Sequence, residues 1–388
     1  MWAALWSIGF RPFFLSAALY SVVVIGVWTG IYVGGWNIHP GNMPSITWHA
    51  HEMVFGYSMA VVSGFLLTAV RNRTGYPTLS GYPLLALWGT WLLARICFFI
   101  EGTPVWLTAI IDNGFVIGVS LAILFPILKA KSWRNMGFFA KLSLIAISNI
   151  IFYLGILNIL PYGSIRIGLY SAFYLIVAMV VLTGRTVFPF FLERGIGAVP
   201  LKTRPWIDQA SLWGFFLFWL AELILPNHLF VGVLSVFLVF VYSVRIMDWY
   251  TPKIWGQPLL WVLYLAYTCI ALGFVLKAAS VFWGVSPYLS IHAFAYGAIG
   301  LSTLGMMSRV SLGHTGRNVY QAPKALRGLF LVLAVGAVIR TIFPLLFAPY
   351  YMLWIAVSQV LWLLAFSGFL LMFTPILCAP RVDGRPDQ

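Results

Sequence analysis

Long apolar segments follow one another almost without a gap from Pro12 to Pro375. Each segment has roughly 20–27 residues, and about 20 apolar residues in a helix cross the hydrocarbon core of a membrane. Only 8% of the residues are charged, against roughly 25% in soluble proteins, and no soluble domain fits between the segments. The sequence therefore predicts an all-α, polytopic membrane bundle of about 12 transmembrane helices, forming a single transmembrane domain over residues 1–388.

Basic residues fill every second connection between the predicted helices, whereas the intervening connections hold almost no Lys or Arg. Cytoplasmic loops of membrane proteins carry such an excess, so the alternation predicts that both termini are cytoplasmic. It also accounts for the net charge of +14 without a nucleic-acid-binding face. The predicted helices span residues 12–36, 46–70, 82–100, 104–128, 136–160, 164–189, 206–226, 229–249, 257–283, 287–311, 325–346 and 350–375.

Helices 2 and 10 share a pattern of residues at a constant offset, which predicts an internal repeat. A histidine, two helix glycines and a Thr-Gly pair recur with identical spacing, and together they are harder to attribute to chance than glycines alone. The matching residues are His51, Gly56, Gly64, Thr74 and Gly75 in helix 2, and His292, Gly297, Gly305, Thr315 and Gly316 in helix 10.

His51 and His292 are candidate ligands of a haem iron. Both predicted helices run from outside to inside, so each histidine lies about five residues, or about 8 Å, below the outer membrane boundary. Two imidazoles at one depth, followed by glycines that let a flat ring approach the backbone, suit axial ligation. The alternative is that each histidine hydrogen-bonds within the bundle. The repeat favours haem, and the absence of a C-x-x-C-H motif argues against covalent c-type attachment.

His49 lies two residues before His51, so on a regular helix the two side chains point in nearly opposite directions. If both bind metal, they serve different centres, either a second haem or copper, which imidazole suits. His39 and His228 fall in outer connections and could join His49 around copper. The alternative places His49 with Trp48 in the interfacial belt. A shift in the helix start would exchange the orientations of His49 and His51.

Three cations lie within predicted helices on the outer half: Arg95, Lys277 and Arg340. Charges within a membrane are costly and usually paired. Because guanidinium groups suit carboxylates, the sequence predicts that Arg95 and Arg340 bind the propionates of a haem. For Lys277 the expectation is that the amine snorkels to the outer headgroups.

The acids within predicted helices are Glu52, Asp112 and Glu222. Each is a candidate proton relay or cation partner. Glu52 is predicted to be the catalytic proton donor because it neighbours His51. Asp112 could equally be a helix-packing group together with Asn113.

Six short segments of the chain carry a family resemblance. They are residues 10–14, 48–53, 64–70, 184–185, 189–191 and 309–317, and they resemble the NnrS family of bacterial membrane proteins. The resemblance spans essentially the whole chain and implies a haem- and copper-containing protein of the inner membrane, linked to the response to nitric oxide and nitrosative stress. It does not carry metal ligands over to individual residues. At residues 184–191 the sequence also predicts a break after helix 6, where a kinked or re-entrant segment could begin.

The predicted arrangement is distantly similar to that of haem–copper oxidases and the related nitric oxide reductases. In those enzymes helices 2 and 10 supply the two histidines of a haem near the outer face. Helices 6 and 7 of this chain contain no histidine, so the copper cluster of those enzymes is not expected.

Together these features predict a haem b protein, with one or two haems, that binds or reduces nitric oxide at a buried site. Quinol would supply electrons if the protein is a nitric oxide reductase. The alternative is a haem or copper handling protein, or a transporter, that protects other metalloproteins, since internal repeats are frequent in transporters.

Overall fold

The computed structural model describes residues 2–197, 202 and 204–385. Within these residues the chain forms twelve long helices, numbered α1 to α12, and no strand. They are α1 Phe10–Tyr32, α2 Ser45–Thr74, α3 Gly81–Cys97, α4 Val105–Lys129, α5 Met136–Ile156, α6 Gly163–Ile196, α7 Pro205–Ile224, α8 Leu229–Trp249, α9 Pro258–Trp283, α10 Pro287–His314, α11 Ala325–Thr341 and α12 Tyr351–Cys378.

Eleven of these described helices are long and apolar enough to cross a membrane. The remaining one, α3, has 17 residues, which is the short end of the range for a span. The predicted polytopic helical fold is therefore confirmed, and the chain is a multi-pass membrane protein.

Prolines and glycines set several of the helix ends. Pro205, Pro258 and Pro287 stand at the first helical position, where the missing N–H costs nothing and the fixed φ suits a helix. Gly75 ends α2 with φ of 72°, and Gly284 follows α9 with φ of 67°. Both take the left-handed conformation that commonly ends a helix.

The predicted break after helix 6 is wrong, because α6 continues through Pro189 to Ile196. Proline is tolerated inside a membrane helix when neighbouring groups satisfy the backbone around it. Here α9 packs closely on α6: a Cβ on Gly184 would collide with the ring of Tyr267. The hydroxyl of that tyrosine donates a hydrogen bond to the carbonyl of Val181, so packing against α9 accompanies the continuous helix.

The chain divides into two compact units. Unit 1 comprises Met1–Leu175, Met307–Asn318 and Phe366–Gln388, and unit 2 comprises Ile176–Met306 and Val319–Ala365. Helices α1 to α5 belong to unit 1, helices α7, α8, α9 and α11 belong to unit 2, and α6, α10 and α12 contribute residues to both. The single transmembrane domain stays a prediction.

Within unit 1, the start of α1 lies beside the end of α12. The guanidinium of Arg11 is fully buried and donates hydrogen bonds to the carbonyls of Leu377, at 2.8 Å, and Ala379, at 2.7 Å. Carbonyls at a helix C-terminus lack partners within the helix, and a cation there satisfies them. The two ends therefore lie on the same side of unit 1, whereas the cytoplasmic orientation of the termini stays a prediction.

Helices α2 and α10 change from α-helical to π-helical geometry directly after a histidine. The wide turns cover Glu52–Ser58, after His51, and Ala293–Gly300, after His292. Such turns are rare and occur frequently at functional sites.

The ends of α2 and α10 also match. Thr74 and Thr315 each donate a hydroxyl hydrogen bond to the carbonyl four residues earlier, at 2.8 and 2.6 Å. Gly75 and Gly316 follow with φ of 72° and 80°. The two helices thus share local geometry at the predicted offset, while a common origin stays a prediction.

Candidate functional site

Several charged side chains among the described residues are buried, whereas many large apolar side chains face outward. Leu371 and Ile224 are 82% and 73% exposed, whereas His51, Glu52 and Asp112 are fully buried. Outward apolar groups suit a lipid environment, in which buried ionisable groups are costly and mark functional sites by default.

One group of buried polar residues, which we name the unit 1 cluster, joins five helices of unit 1. Its members are Tyr20 of α1, His51 and Glu52 of α2, Arg95 of α3, Asp112 of α4, and Asn149 and Tyr153 of α5. All of them are buried.

Arg95 connects two carboxylates. Its Nη1 donates to Glu52 Oε1 at 2.9 Å, and its Nη2 donates to Asp112 Oδ1. Asp112 is therefore an ion-pair partner and does not pair with Asn113, whose amide donates to the carbonyl of Ala109. Since Arg95 is paired with protein carboxylates, its predicted contact with a haem propionate lacks support in this geometry.

Both ring nitrogens of His51 face oxygen atoms. Nδ1 lies 2.7 Å from Glu52 Oε1, and Nε2 lies 3.1 Å from Asn149 Oδ1 and 3.4 Å from Asp112 Oδ2. Phe152 packs on the ring with 4.6 Å between centroids. The imidazole is therefore fully engaged by neighbouring protein groups.

Tyrosines and a close glycine complete the cluster. Tyr20 donates its hydroxyl hydrogen to Glu52 Oε2, and Tyr153 donates to Asp112 Oδ2 at 3.2 Å. A Cβ on Gly56 would lie 2.6 Å from the Tyr20 ring and 3.1 Å from Glu52 Oε2. The space that was predicted to admit a flat ring beside this glycine is filled by the cluster itself.

His292 in unit 2 has a different environment. Its Nδ1 donates to the carbonyl of Tyr288 at 2.7 Å, and its Nε2 faces Arg340 Nη2 at 2.8 Å. The ring is partly exposed. A Cβ on Gly297, the counterpart of Gly56, would lie 2.7 Å from the sulfur of Cys269.

Lys277 forms a second buried ion pair in unit 2. Its Nζ lies 2.8 Å from Glu222 Oε2 and donates to Asn227 Oδ1 at 2.9 Å, and the side chain is only 3% exposed. The expectation that this lysine snorkels to the headgroups is wrong, because a carboxylate on α7 neutralises it inside the protein.

The remaining predicted histidines occupy separate positions. His49 stacks on Trp28 with 4.5 Å between centroids and 7° between planes, and His228 accepts a hydrogen bond from the backbone of Phe230 at the start of α8. His39 lies 3.4 Å from the hydroxyl of Ser45. In the part of the chain that the structure describes, no three His, Cys, Asp or Glu side chains could together hold a metal ion.

The family model for NnrS protein matches residues 4–381, nearly the whole chain. The chain belongs to the NnrS protein family. No curated protein matches it at a significant level. The resemblance predicted from the short segments is therefore confirmed.

The two predicted haem positions of this NnrS family member differ in the groups that their histidines face. His51 offers no free ring nitrogen, because its hydrogen bonds already engage both, and ligation by His51 stays a prediction that this geometry does not support. At His292 the bond to the Tyr288 carbonyl leaves Nε2 as the nitrogen with a lone pair, which accepts a hydrogen bond from Arg340 at 2.8 Å and would bind iron only after Arg340 releases it. Arg340, beside that nitrogen, has the group that pairs well with a carboxylate.

Sequence reasoning found four members of the unit 1 cluster and missed Tyr20, Asn149 and Tyr153. Asn149 could have been found, because it is an uncharged amide in the middle of an otherwise apolar helix, where polar side chains usually have a partner. The tyrosines could not, because the chain has 18 of them and nothing in the pattern distinguishes these two.

Proposed function

We propose that this NnrS family member is a haem-binding protein of the bacterial inner membrane that acts in the response to nitric oxide and nitrosative stress. Family membership supports the physiological part of this proposal. The geometry of His292 supports the haem.

The observation that carries the proposal is the hydrogen bond from His292 Nδ1 to the Tyr288 carbonyl, at 2.7 Å. Histidines that bind metals almost always donate their other ring N–H to a carbonyl or carboxylate, which fixes the tautomer and the ring orientation. His292 would present Nε2 to the iron, and Arg340 would pair with a propionate. A bound haem would supply an iron that takes nitric oxide.

An optical spectrum of the purified protein, oxidised and dithionite-reduced, tests this proposal together with an assay of total iron and copper. We expect a b-type spectrum in the wild type, its loss in His292→Gln, and weaker haem retention in Arg340→Gln. His39→Gln is the matched control, because this histidine lies outside the surroundings of both His51 and His292. The variant should keep the wild-type spectrum. A wild type without haem, or equal haem in wild type and His292→Gln, contradicts the proposal.

Reduction of nitric oxide needs electrons, for which quinol is the proposed donor. Membranes with and without the protein, given quinol and a nitric oxide donor without oxygen, measure turnover directly. Faster decay of nitric oxide with the protein supports an enzyme, and equal decay leaves nitric oxide binding as the function. Copper stays part of the proposal and is tested by the assay of total copper in the purified protein.

A second candidate function is the handling or transport of haem or copper. It is favoured by helices α2 and α10, which both lose regular α-helical geometry at a constant offset in the chain, because interrupted helices in corresponding repeats are common in transporters. Haem or copper that exchanges with added free metal, without a fixed ratio to protein, would favour this function.

A further inference from the structure

We infer that His51 is held as an imidazolium ion, so that the unit 1 cluster is an occluded proton-binding site and not a haem site. The ligand of this site is a proton. The inference comes from the hydrogen-bond pattern around the ring and from the charges of its neighbours.

The first argument is the pattern of donors and acceptors. A neutral imidazole has one N–H donor and one nitrogen that accepts, whereas an imidazolium ion donates from both nitrogens. His51 Nδ1 faces a carboxylate oxygen of Glu52 at 2.7 Å, and an ionised carboxylate only accepts. Nε2 faces Asn149 Oδ1 at 3.1 Å and Asp112 Oδ2 at 3.4 Å. Arg95 donates to both carboxylates, which favours their ionised form. With both ionised, each ring nitrogen of His51 needs a proton.

The orientation of the Asn149 amide is fixed by its other contact. Its Nδ2 donates to Asp112 Oδ2 at 2.9 Å. Exchanging the amide oxygen and nitrogen would bring two acceptors together at Asp112, because an ionised carboxylate cannot donate. The amide oxygen must therefore face His51, which then has to donate.

The second argument is charge balance. Glu52 and Asp112 carry two negative charges, and Arg95 carries one positive charge. The hydroxyl groups of Tyr20 and Tyr153 donate hydrogen bonds to the carboxylates but carry no charge. A buried net charge is costly. One further proton brings the cluster to neutrality, and the hydrogen-bond pattern places that proton on His51.

Aromatic side chains separate this proton from water. Phe55, Phe98 and Phe152 all lie against the ring, with centroid distances of 4.8, 5.5 and 4.6 Å. His51 itself is fully buried. The site is therefore closed in this conformation, and exchange of its proton requires the surrounding side chains to move.

The test makes one substitution, Asp112→Asn, in two backgrounds for which the inference predicts Tm shifts of opposite sign. In the wild-type cluster, Asp112→Asn leaves an excess positive charge and should lower the thermal midpoint (Tm) of the purified protein. In a His51→Phe background the cluster already has an excess negative charge, so the same Asp112→Asn change should raise the Tm. If Asp112→Asn shifts the Tm in the same direction in both backgrounds, the inference is overturned.

Glu222→Gln is the matched control. It removes another buried carboxylate, which pairs with Lys277 in unit 2, and it should not raise the Tm of His51→Phe. A rescue by this control equal to that by Asp112→Asn would overturn the inference, because charge balance within the cluster would then not explain it.

If His51→Phe does not fold, nitrogen NMR of the wild-type protein in bilayers, with ¹⁵N-labelled histidine, reports the protonation of the His51 ring directly. Asn149→Leu, which removes the acceptor at Nε2, assigns the His51 signals by their displacement. Two protonated ring nitrogens support the inference, and one protonated with one unprotonated nitrogen overturns it. Neither the Tm series nor the NMR requires bound haem, so a protein without haem would contradict the proposed function and leave this test intact.

Discussion

The surroundings of His51 and of His292 differ although the backbone around the two histidines is alike. Each histidine ends an α-helical turn and is followed by a π-helical stretch. His51 is fully buried with both nitrogens facing oxygen atoms, whereas His292 is partly exposed and its Nε2 faces a guanidinium. Repetition of a backbone pattern therefore does not repeat its chemistry.

The difference begins in the sequence. At the offset that relates the two histidines, Glu52 corresponds to Ala293. The neighbouring helices then increase the contrast, since His51 receives Asp112 and Asn149 from α4 and α5. A carboxylate environment keeps a histidine protonated, whereas a guanidinium requires the neutral form, because an arginine only donates.

The largest effect should come from replacing Arg95, with the same change at Arg340 as the comparison. Arg95→Met leaves two buried carboxylates with a single cation, His51, and should cost about 3–5 kcal/mol of stability, since breaking a buried ion pair strands a charge. Arg340→Met removes a donor to a neutral, partly exposed imidazole and should cost about 1 kcal/mol. The thermal midpoints of the two variants, measured in the same detergent, give both losses of stability. Equal losses would contradict the expected difference between the surroundings of His51 and His292.

Next in size is the effect of filling the space at Gly56. A Cβ there would lie 2.6 Å from Tyr20 and 3.0 Å from Arg95 Nη1, so Gly56→Ala should cost about 3 kcal/mol through overpacking. A Cβ on Gly26 in α1 would meet no neighbouring atom within 4 Å, and Gly26→Ala should stabilise by about 0.5 kcal/mol, as alanine does within a helix. The Tm values of the two variants in detergent test these expected changes. A Gly56→Ala variant as stable as the wild type would show that the cluster is loosely packed.

Smaller effects should separate two buried tyrosine hydroxyls. Tyr20 donates to a carboxylate in unit 1, and Tyr296 donates to the Ser358 carbonyl at 2.8 Å in unit 2. Tyr20→Phe should cost about 2 kcal/mol and Tyr296→Phe about 1 kcal/mol, because hydrogen bonds to charged groups contribute more. The Tm shifts of the two variants measure these costs. A larger loss of stability for Tyr296→Phe would contradict the charged state of Glu52.

The smallest effect concerns an exposed ion pair. Hydrogen bonds from Arg381 lower the pKa of Asp383 to about 2, and Arg381 also donates to the His314 carbonyl at 2.8 Å. A lowered pKa means that the contribution of this pair is complete above the ordinary pKa of an aspartate and is lost as the pH falls through about 2. The C-terminal segment should therefore stay docked at pH 4 and loosen below pH 2.

Hydrogen exchange at the Val382 amide, which donates to the Thr315 carbonyl at 3.1 Å, follows that docking after correction for intrinsic rates. Asp383→Asn should exchange faster at pH 4 and show no acid transition. Identical profiles in the two proteins would show that the ion pair does not hold this segment.

The apolar segments determined the membrane fold and the approximate helix positions, because a span has a fixed length and its backbone must satisfy itself. They also singled out His51, Glu52, Arg95 and Asp112 as costly residues that need partners. Family membership was likewise readable from short segments of the chain.

Only the tertiary structure decided which partners meet. Arg95 and Lys277 both required a counter-charge, but the sequence could not show that protein carboxylates on other helices supply it. Nor could it show that α6 continues through Pro189. Hydropathy fixes where a residue lies along the membrane normal, whereas the rotation and packing of each helix decide which side chains touch.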